Sequence, residues 1–195
     1  MKRLVVASSN KGKIREISQI LSPLGFEVIP QAEYEVPDAE EPHFTFLENA
    51  LEKARHASRL TDMPALADDS GICVSALNGE PGIHSARYAG EPRSDSRNNL
   101  KLLDELKDCE DRRAHYYCVI VYLRHAMDPE PIVAEGKWEG EILRAPRGEG
   151  GFGYDPLFLD PALGKTGGEL DRGIKNRVSH RARALAVLLD KLKCL

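Results

Sequence analysis

The chain has 195 residues, 42% hydrophobic and 30% charged, with a net charge of −4 at pH 7. That length and balance exclude a disordered or fibrous chain and fit one domain with a real core, taken as residues 1–195. There is no global basic field to attract a nucleic acid polymer, and no run near the roughly 20 apolar residues of a membrane helix. In chain order, Leu4 to Ala7 reads as a strand and Ser8 to Lys13 as a polar loop. Ile14, Ile17, Ile20, Leu21 and Leu24 then recur at helical spacing, so a helix begins near Lys13, and Pro23 and Gly25 end it. Phe26 to Ile29 reads as a second strand and residues 31–43 as an acidic loop. Thr45-Phe46-Leu47-Glu48 is a capping box. It opens a helix with Leu47, Ala50, Leu51, Ala54 and Ala57 on one face, which stops before Met63-Pro64. A short strand, Ala65 to Asp68, leads into an Asp-Asp turn and a further strand near Ile72–Ala76. A Gly/Pro-rich loop spans Asn78 to Pro92. Ser94 or Asp95 caps a helix carrying Leu100, Leu103 and Leu106. Tyr116 to Leu123 and Ile132 to Glu139 read as a hairpin turned by Asp128-Pro129-Glu130-Pro131. Arg144 to Pro156 is a Gly-rich loop, and a last helix runs from about Ser179 to Leu192. This order predicts an α/β fold with a mixed sheet, in two lobes with a cleft. Four cysteines (Cys73, Cys109, Cys118, Cys194) show no C-x-x-C pair. Neither a zinc site nor a disulfide framework is expected, and a reducing cytoplasm suits free thiols.

Asp68-Asp69-Ser70-Gly71 is the most telling segment. Two adjacent carboxylates after an apolar strand cannot both be buried unpaired. They fit either an acidic turn or a site for a hard cation such as Mg²⁺, which takes oxygen ligands. Ser8 to Lys13 lies between a strand and a helix start. It is either a plain connection or an anion site built from backbone N–H groups with Lys11 and Lys13. Gly148-Glu149-Gly150-Gly151-Phe152-Gly153 matches G-x-G-x-x-G, but Tyr154-Asp155-Pro156 and an apolar strand follow, so the dinucleotide reading fails its context. What remains is a glycine loop that either presents Phe152, Tyr154 and Asp155 to a base or tucks Phe152 into the core. Lys175-Asn176-Arg177-Val178-Ser179-His180-Arg181 places cations before or at a helix start, the wrong end for the helix dipole. This is either a solvated basic face or a ligand site. Glu40-Glu41 and Lys53 are open in the same way. Trp138 and Tyr88 read as core or interface aromatics, and Arg87 as a partner for an acid or a phosphate.

Taken together, these segments resemble the Ham1/inosine triphosphate pyrophosphatase family. The resemblance rests on Ala7-Ser8-Ser9-Asn10-Lys11-Gly12-Lys13, Thr45-Phe46-Leu47-Glu48-Asn49-Ala50 with Lys53-Ala54, and Ala67-Asp68-Asp69-Ser70-Gly71. It continues through Pro81-Gly82-Ile83 with Ser85-Ala86-Arg87-Tyr88, Gly151-Phe152-Gly153-Tyr154-Asp155-Pro156, Gly164-Lys165-Thr166, and Lys175-Asn176 with Ser179-His180-Arg181. The pieces run in family order over nearly the whole chain. Ser8-Ser9 stands where Thr-Gly is frequent, His84 where Tyr is frequent, and Gly173-Ile174 where acids are usual.

The resemblance implies a two-lobed α/β fold around a long mixed β-sheet with a central cleft, related to the Maf fold. It implies hydrolysis of XTP, ITP and dITP to the monophosphate and pyrophosphate, with Mg²⁺, by a cytoplasmic homodimer. It implies Asp69 as proton acceptor and metal ligand, with Asp68 and Glu41 completing the metal site and Lys13 aiding catalysis. It further implies that Ser8, Ser9, Asn10, Lys11, Gly12, Lys13, Ser70 and Lys175 hold phosphates, with Lys53 as a further substrate contact. Phe152, Gly153, Tyr154, Asp155, His180 and Arg181 would hold the nucleoside. Two other classes compete with this expectation: a Maf-like pyrophosphatase acting on other nucleotides, and a nucleotide sensor without turnover.

Overall fold

Among the described residues, five apolar or alternating stretches and two brief late ones form seven strands. They are β1 (Lys2–Val6), β2 (Phe26–Pro30), β3 (Ala65–Val74), β4 (Arg113–Leu123), β5 (Ile132–Ile142), β6 (Phe158–Asp160) and β7 (Lys165–Thr166). The computed structural model describes residues 2–193, and the Lys11 side chain lies outside that description. The strands lie in one sheet in the order β2-β1-β3-β4-β5-β6-β7. β1 is parallel to β2 and β3, whereas β6 is antiparallel to β5 and β7, so the sheet is mixed, as an α/β chain of this order requires. Among the described residues five α-helices accompany it: α1 (Lys11–Leu21), α2 (Phe46–Thr61), α3 (Asp95–Glu105), α4 (Arg172–Val178) and α5 (His180–Leu192).

The chain divides into two compact units. The first comprises Met1–Asp69, Cys118–Gly136 and Arg183–Leu195. Its core gathers Leu4, Ile17, Leu21, Leu66, Ile120 and Leu188, all buried. The second comprises Ser70–Tyr117 and Lys137–Ala182, with a core of Ile72, Leu102, Tyr116, Trp138, Leu157 and Phe158. There the Phe158 ring lies 4.7 Å from Tyr116 and 4.8 Å from Trp138, and the Trp138 indole N–H donates to Asp160 at 2.8 Å. Trp138 and Tyr88 are thus core aromatics.

Several boundaries differ from the sequence expectation. The Asp-Asp turn does not exist: β3 runs unbroken from Ala65 through Asp68, Asp69, Ser70 and Gly71 to Val74. The chain has no need to turn there, because each carboxylate meets a lysine. Helix α1 starts at Lys11, so half of the expected polar loop is its first turn. The cause is Asn10, whose Oδ1 accepts from Gly12 N at 2.9 Å and Lys13 N at 3.2 Å. Thr45 caps α2 through Glu48 N as the capping box predicts, and the helix stops at Thr61. Its buried face is Phe46, Asn49, Ala50, Ala54, Ala57 and Ser58, with Leu47 exposed. In α3 the stripe runs through Asn98, Leu102 and, just past the end, Leu106, while Leu100 is 67% exposed, about half a turn away from Asn98.

The basic run is split between two helices. Lys175 and Arg177 lie in the last turn of α4, which Asp171 caps, so the carbonyl end of that helix favours them. Only His180 and Arg181 sit at a helix start, that of α5, where the Ser179 hydroxyl accepts from Ala182 N at 3.3 Å. β4 begins three residues earlier than expected and β5 ends three later. Among the described residues no helix is long and apolar enough to cross a membrane. Cys73, Cys109 and Cys118 are free thiols, and Cys194 lies outside the described residues.

Candidate active site

In the first unit, three carboxylates and two lysines form a charged group. Asp68 and Asp69 are neighbours on a strand, so their side chains leave on opposite faces and find different partners. The Lys13 ammonium, from the first turn of α1, donates to buried Asp68 at 2.7 Å. Lys53, from the middle of α2, donates to Asp69 at 3.0 Å and to Glu41 at 2.8 Å. Glu41 and Asp69 therefore converge on a single cationic centre. Glu40 is exposed, and among the described residues no such bond reaches it. The short segment carrying Glu41 is pinned by buried Asn49 on α2, which accepts from His43 N at 3.1 Å and donates to His43 O at 3.3 Å.

Burial sets the electrostatics here. It pushes the Asp69 carboxyl above the usual carboxylate range, with Glu41 and Asp68 adding to the rise and Lys53 opposing it. Burial would lower Lys53, but Asp69, Asp68 and Glu41 outweigh it and hold the ammonium charged. Among the described residues no three His, Cys, Asp or Glu side chains form a metal cage. The donor set at Lys53 is two carboxylates. That fits Mg²⁺, which binds through one or two carboxylates and leaves its other positions to water and phosphate oxygens.

The expected phosphate loop is compact. Ser8 Oγ accepts from Asn10 N at 3.2 Å, Ser9 is exposed, and Asn10 occupies two N–H groups of the α1 start, those of Gly12 and Lys13. Lys11 has its side chain outside the described residues, so the site expectation for it stands on the sequence alone.

The second unit holds the residues expected around the base. Asp155 is buried, and its carboxylate bonds the Lys175 ammonium and accepts from Phe152 N at 2.8 Å. Tyr116, in β4, donates to the other Asp155 oxygen at 3.5 Å and stacks on His180, with centroids 4.7 Å apart and planes at 9°. Burial, and then the Asp155 charge, pushes the Tyr116 hydroxyl well above its ordinary value, so it stays a donor. His180 and Arg181 are 7% and 6% exposed, and Arg181 donates to Ser70 Oγ at 3.3 Å. The glycines are spatially required at Gly151: its φ is +77°, and an added Cβ would lie 2.2 Å from Asp155 Oδ2.

Two expected nucleoside contacts separate sharply. Phe152 is 58% exposed rather than tucked into the core, and the Lys175 ammonium lies 4.5 Å from its ring centre. Tyr154 is buried, and its hydroxyl donates to Ser85 O at 2.8 Å, so its side chain is committed to the core. Sequence reasoning passed over Tyr116, which reads only as one residue of an alternating strand. It also assigned no role to Asn49, which the sequence shows only within the Thr45–Ala50 segment and as an amide on an otherwise apolar helix face.

Comparison with known proteins agrees over the full length. The model of the Ham1 family matches residues 4–191. A dITP/XTP pyrophosphatase of Ralstonia nicotianae is 62% identical, over 99% of this chain and 98% of that protein. One from Nitrosomonas europaea is also 62% identical, over 98% and 95%. Among solved structures, a HAM1 protein from Coxiella burnetii superposes with a TM-score of 0.97 at 47% identity, covering 100% of both chains. The Staphylococcus aureus Ham1 protein does so at 0.93 and 44%, covering 99% of each. The chain belongs to the Ham1 family.

Proposed function

We propose that this protein hydrolyses non-canonical purine nucleoside triphosphates (XTP, ITP and dITP) to the nucleoside monophosphate and pyrophosphate, and so cleanses the nucleotide pool. The observation that carries the reading is the convergence of Glu41 and Asp69 on Lys53, beside the Lys13–Asp68 pair. It is a set of fixed charges suited to a triphosphate with its counter-ion. The names of the close relatives support the same substrates.

Asp69 and Glu41 would hold Mg²⁺, with Asp68 beside them, and the ion would shield triphosphate charge and acidify water. The water oxygen bonds to the α-phosphorus and its proton passes to Asp69. The bond from that phosphorus to the bridging oxygen breaks, and pyrophosphate leaves. Lys13 and Lys53 stabilise the charge that develops on it, with Ser8 to Gly12 and Ser70 as further phosphate contacts. Asp155, held by Lys175, braces the loop from which Phe152 stacks on the base. His180 and Arg181 meet the 6-oxo acceptor that adenine lacks. A buried donor left unpaired costs about 1–3 kcal/mol, so ATP is disfavoured. We read the protein as a homodimer in the cytoplasm, where its free thiols stay reduced.

The test is purified protein with Mg²⁺ against ITP, XTP, dITP, GTP, ATP and dTTP, with products identified. Pyrophosphate and IMP from ITP, with ATP and dTTP nearly inert, is the expected result. Stepwise release of orthophosphate, or preference for dTTP, would overturn it.

A further inference from the structure

Gly153, which follows Phe152, is gripped on both sides by one helix of its own unit. Its N–H donates to Asp95 Oδ2 at 2.6 Å, and its carbonyl accepts from Asn99 Nδ2 at 3.0 Å. Asp95 and Asn99 are four residues apart on α3 and therefore share one face. The two bonds hold the two peptides that flank the Gly153 Cα. Gly153 has φ +60°, and a glycine there has more rotational freedom than any other residue. Its neighbours are fixed by other means: Phe152 N by the Asp155 carboxylate, and Tyr154 by its hydroxyl on Ser85 O. The Phe152 ring itself is mostly exposed, so burial in the core does not aim it.

We propose that Asp95 and Asn99 are positioning residues, which act through the Gly153 peptides to hold the Phe152 ring in the orientation that stacks on the substrate base. This rests on the reading of Phe152 as a base contact. An exposed aromatic on a glycine-rich tip gains nothing for folding from being held still. It gains for binding, because an aimed ring does not have to be ordered when the nucleotide arrives. The Asp95 bond is charge-assisted and short, so it is the stronger half of the grip. Neither residue touches the reacting phosphate in this scheme, so the effect belongs in KM and not in kcat.

The test measures kcat and KM for ITP in Asp95→Ala, Asp95→Asn, Asn99→Ala, Phe152→Ala and the Asp95→Ala/Phe152→Ala double variant, with thermal melts of each. Asp95→Ala and Asn99→Ala should raise KM about five- to tenfold and leave kcat within about twofold. Asp95→Asn, which keeps an acceptor, should recover most of the loss. In the Phe152→Ala background, Asp95→Ala should add less than about twofold, because the ring it serves is gone. Equal losses from Asp95→Ala in both backgrounds would overturn the proposal, as would an unchanged KM in Asp95→Ala and Asn99→Ala. If Phe152→Ala alone left KM unchanged, the base-stacking reading would fall and the grip's role with it. A raised KM in Phe152→Ala beside a normal one in Asp95→Ala would sink the grip alone.

Discussion

Asp69 combines burial, a lysine partner and a raised pKa, the properties of a proton acceptor rather than of an ordinary surface acid. Asparagine keeps its shape and loses its basicity. In Asp69→Asn, Lys53 still has Glu41 at 2.8 Å, so the local charge stays paired and the fold survives. The expected result is a kcat for ITP below about a tenth of wild type, more than about 1.4 kcal/mol of barrier, with a nearly unchanged melting temperature. A retained kcat would assign the base elsewhere. Arg181 tests selection in the same manner. It is buried at the start of α5 and already donates to Ser70, so its guanidinium is oriented before any nucleotide binds. Arg181→Ala should lower kcat/KM for ITP about ten- to a hundredfold and for ATP by clearly less, narrowing the gap between them. An equal fall for both substrates would make Arg181 a general phosphate or structural group.

At the scale of elements, the connection from β4 to β5 is held by one side chain. Asp128 is buried and accepts from Arg124 N at 2.9 Å, Arg124 Nε at 2.8 Å and Glu130 N at 3.0 Å. The Arg124 side chain, aided by those backbone N–H groups, holds the Asp128 carboxyl well below its ordinary value. A depressed carboxylate stabilises the fold above its unfolded pKa, and that contribution is lost as pH falls through the folded one. Arg124 is 44% exposed and screened by solvent, so Asp128→Asn should cost roughly 1 kcal/mol near pH 7. The deficit against wild type should shrink below about pH 4. Urea denaturation of both proteins at pH 7 and pH 3 reads it, and a deficit that grew in acid would refute the assignment. Local chemistry of this kind is what a sequence displays. The Thr45 cap, the Gly25 stop after α1 and the Asp128 turn all depend on residues within a few positions, and they were legible. The continuity of β3 was not, because it depends on Lys13 and Lys53, 55 and 16 residues away from their aspartates. Helix α4 escaped notice because it is 7 residues long and its apolar positions show no period. Candidate site residues could be named from their motifs, but their states could not: nothing local distinguishes exposed Phe152 from buried Tyr154, two positions on.

Across the whole molecule, the strand order β2-β1-β3-β4-β5-β6-β7 brings together segments far apart in sequence, and no local pattern encodes it. The same long-range pairing explains how an acidic centre folds at all. Unpaired carboxylates in a buried group would repel and resist desolvation. Here Asp68 has Lys13, and Asp69 and Glu41 share Lys53, so every carboxylate has a lysine partner and only one negative charge is left over. On the proposed reading, folding does not depend on a divalent ion, whereas catalysis on a highly charged triphosphate does. Chelation should separate the two. With EDTA in excess, turnover of ITP should fall by more than about a hundredfold and return on adding Mg²⁺. The melting temperature of the nucleotide-free protein should move by no more than about 2 °C between the two conditions, as expected where an ion binds the folded state only weakly. A collapse in melting temperature on chelation would make the ion structural and the lysine pairs insufficient. Undiminished turnover would leave Lys13 and Lys53 as the sole electrostatic partners of the departing pyrophosphate.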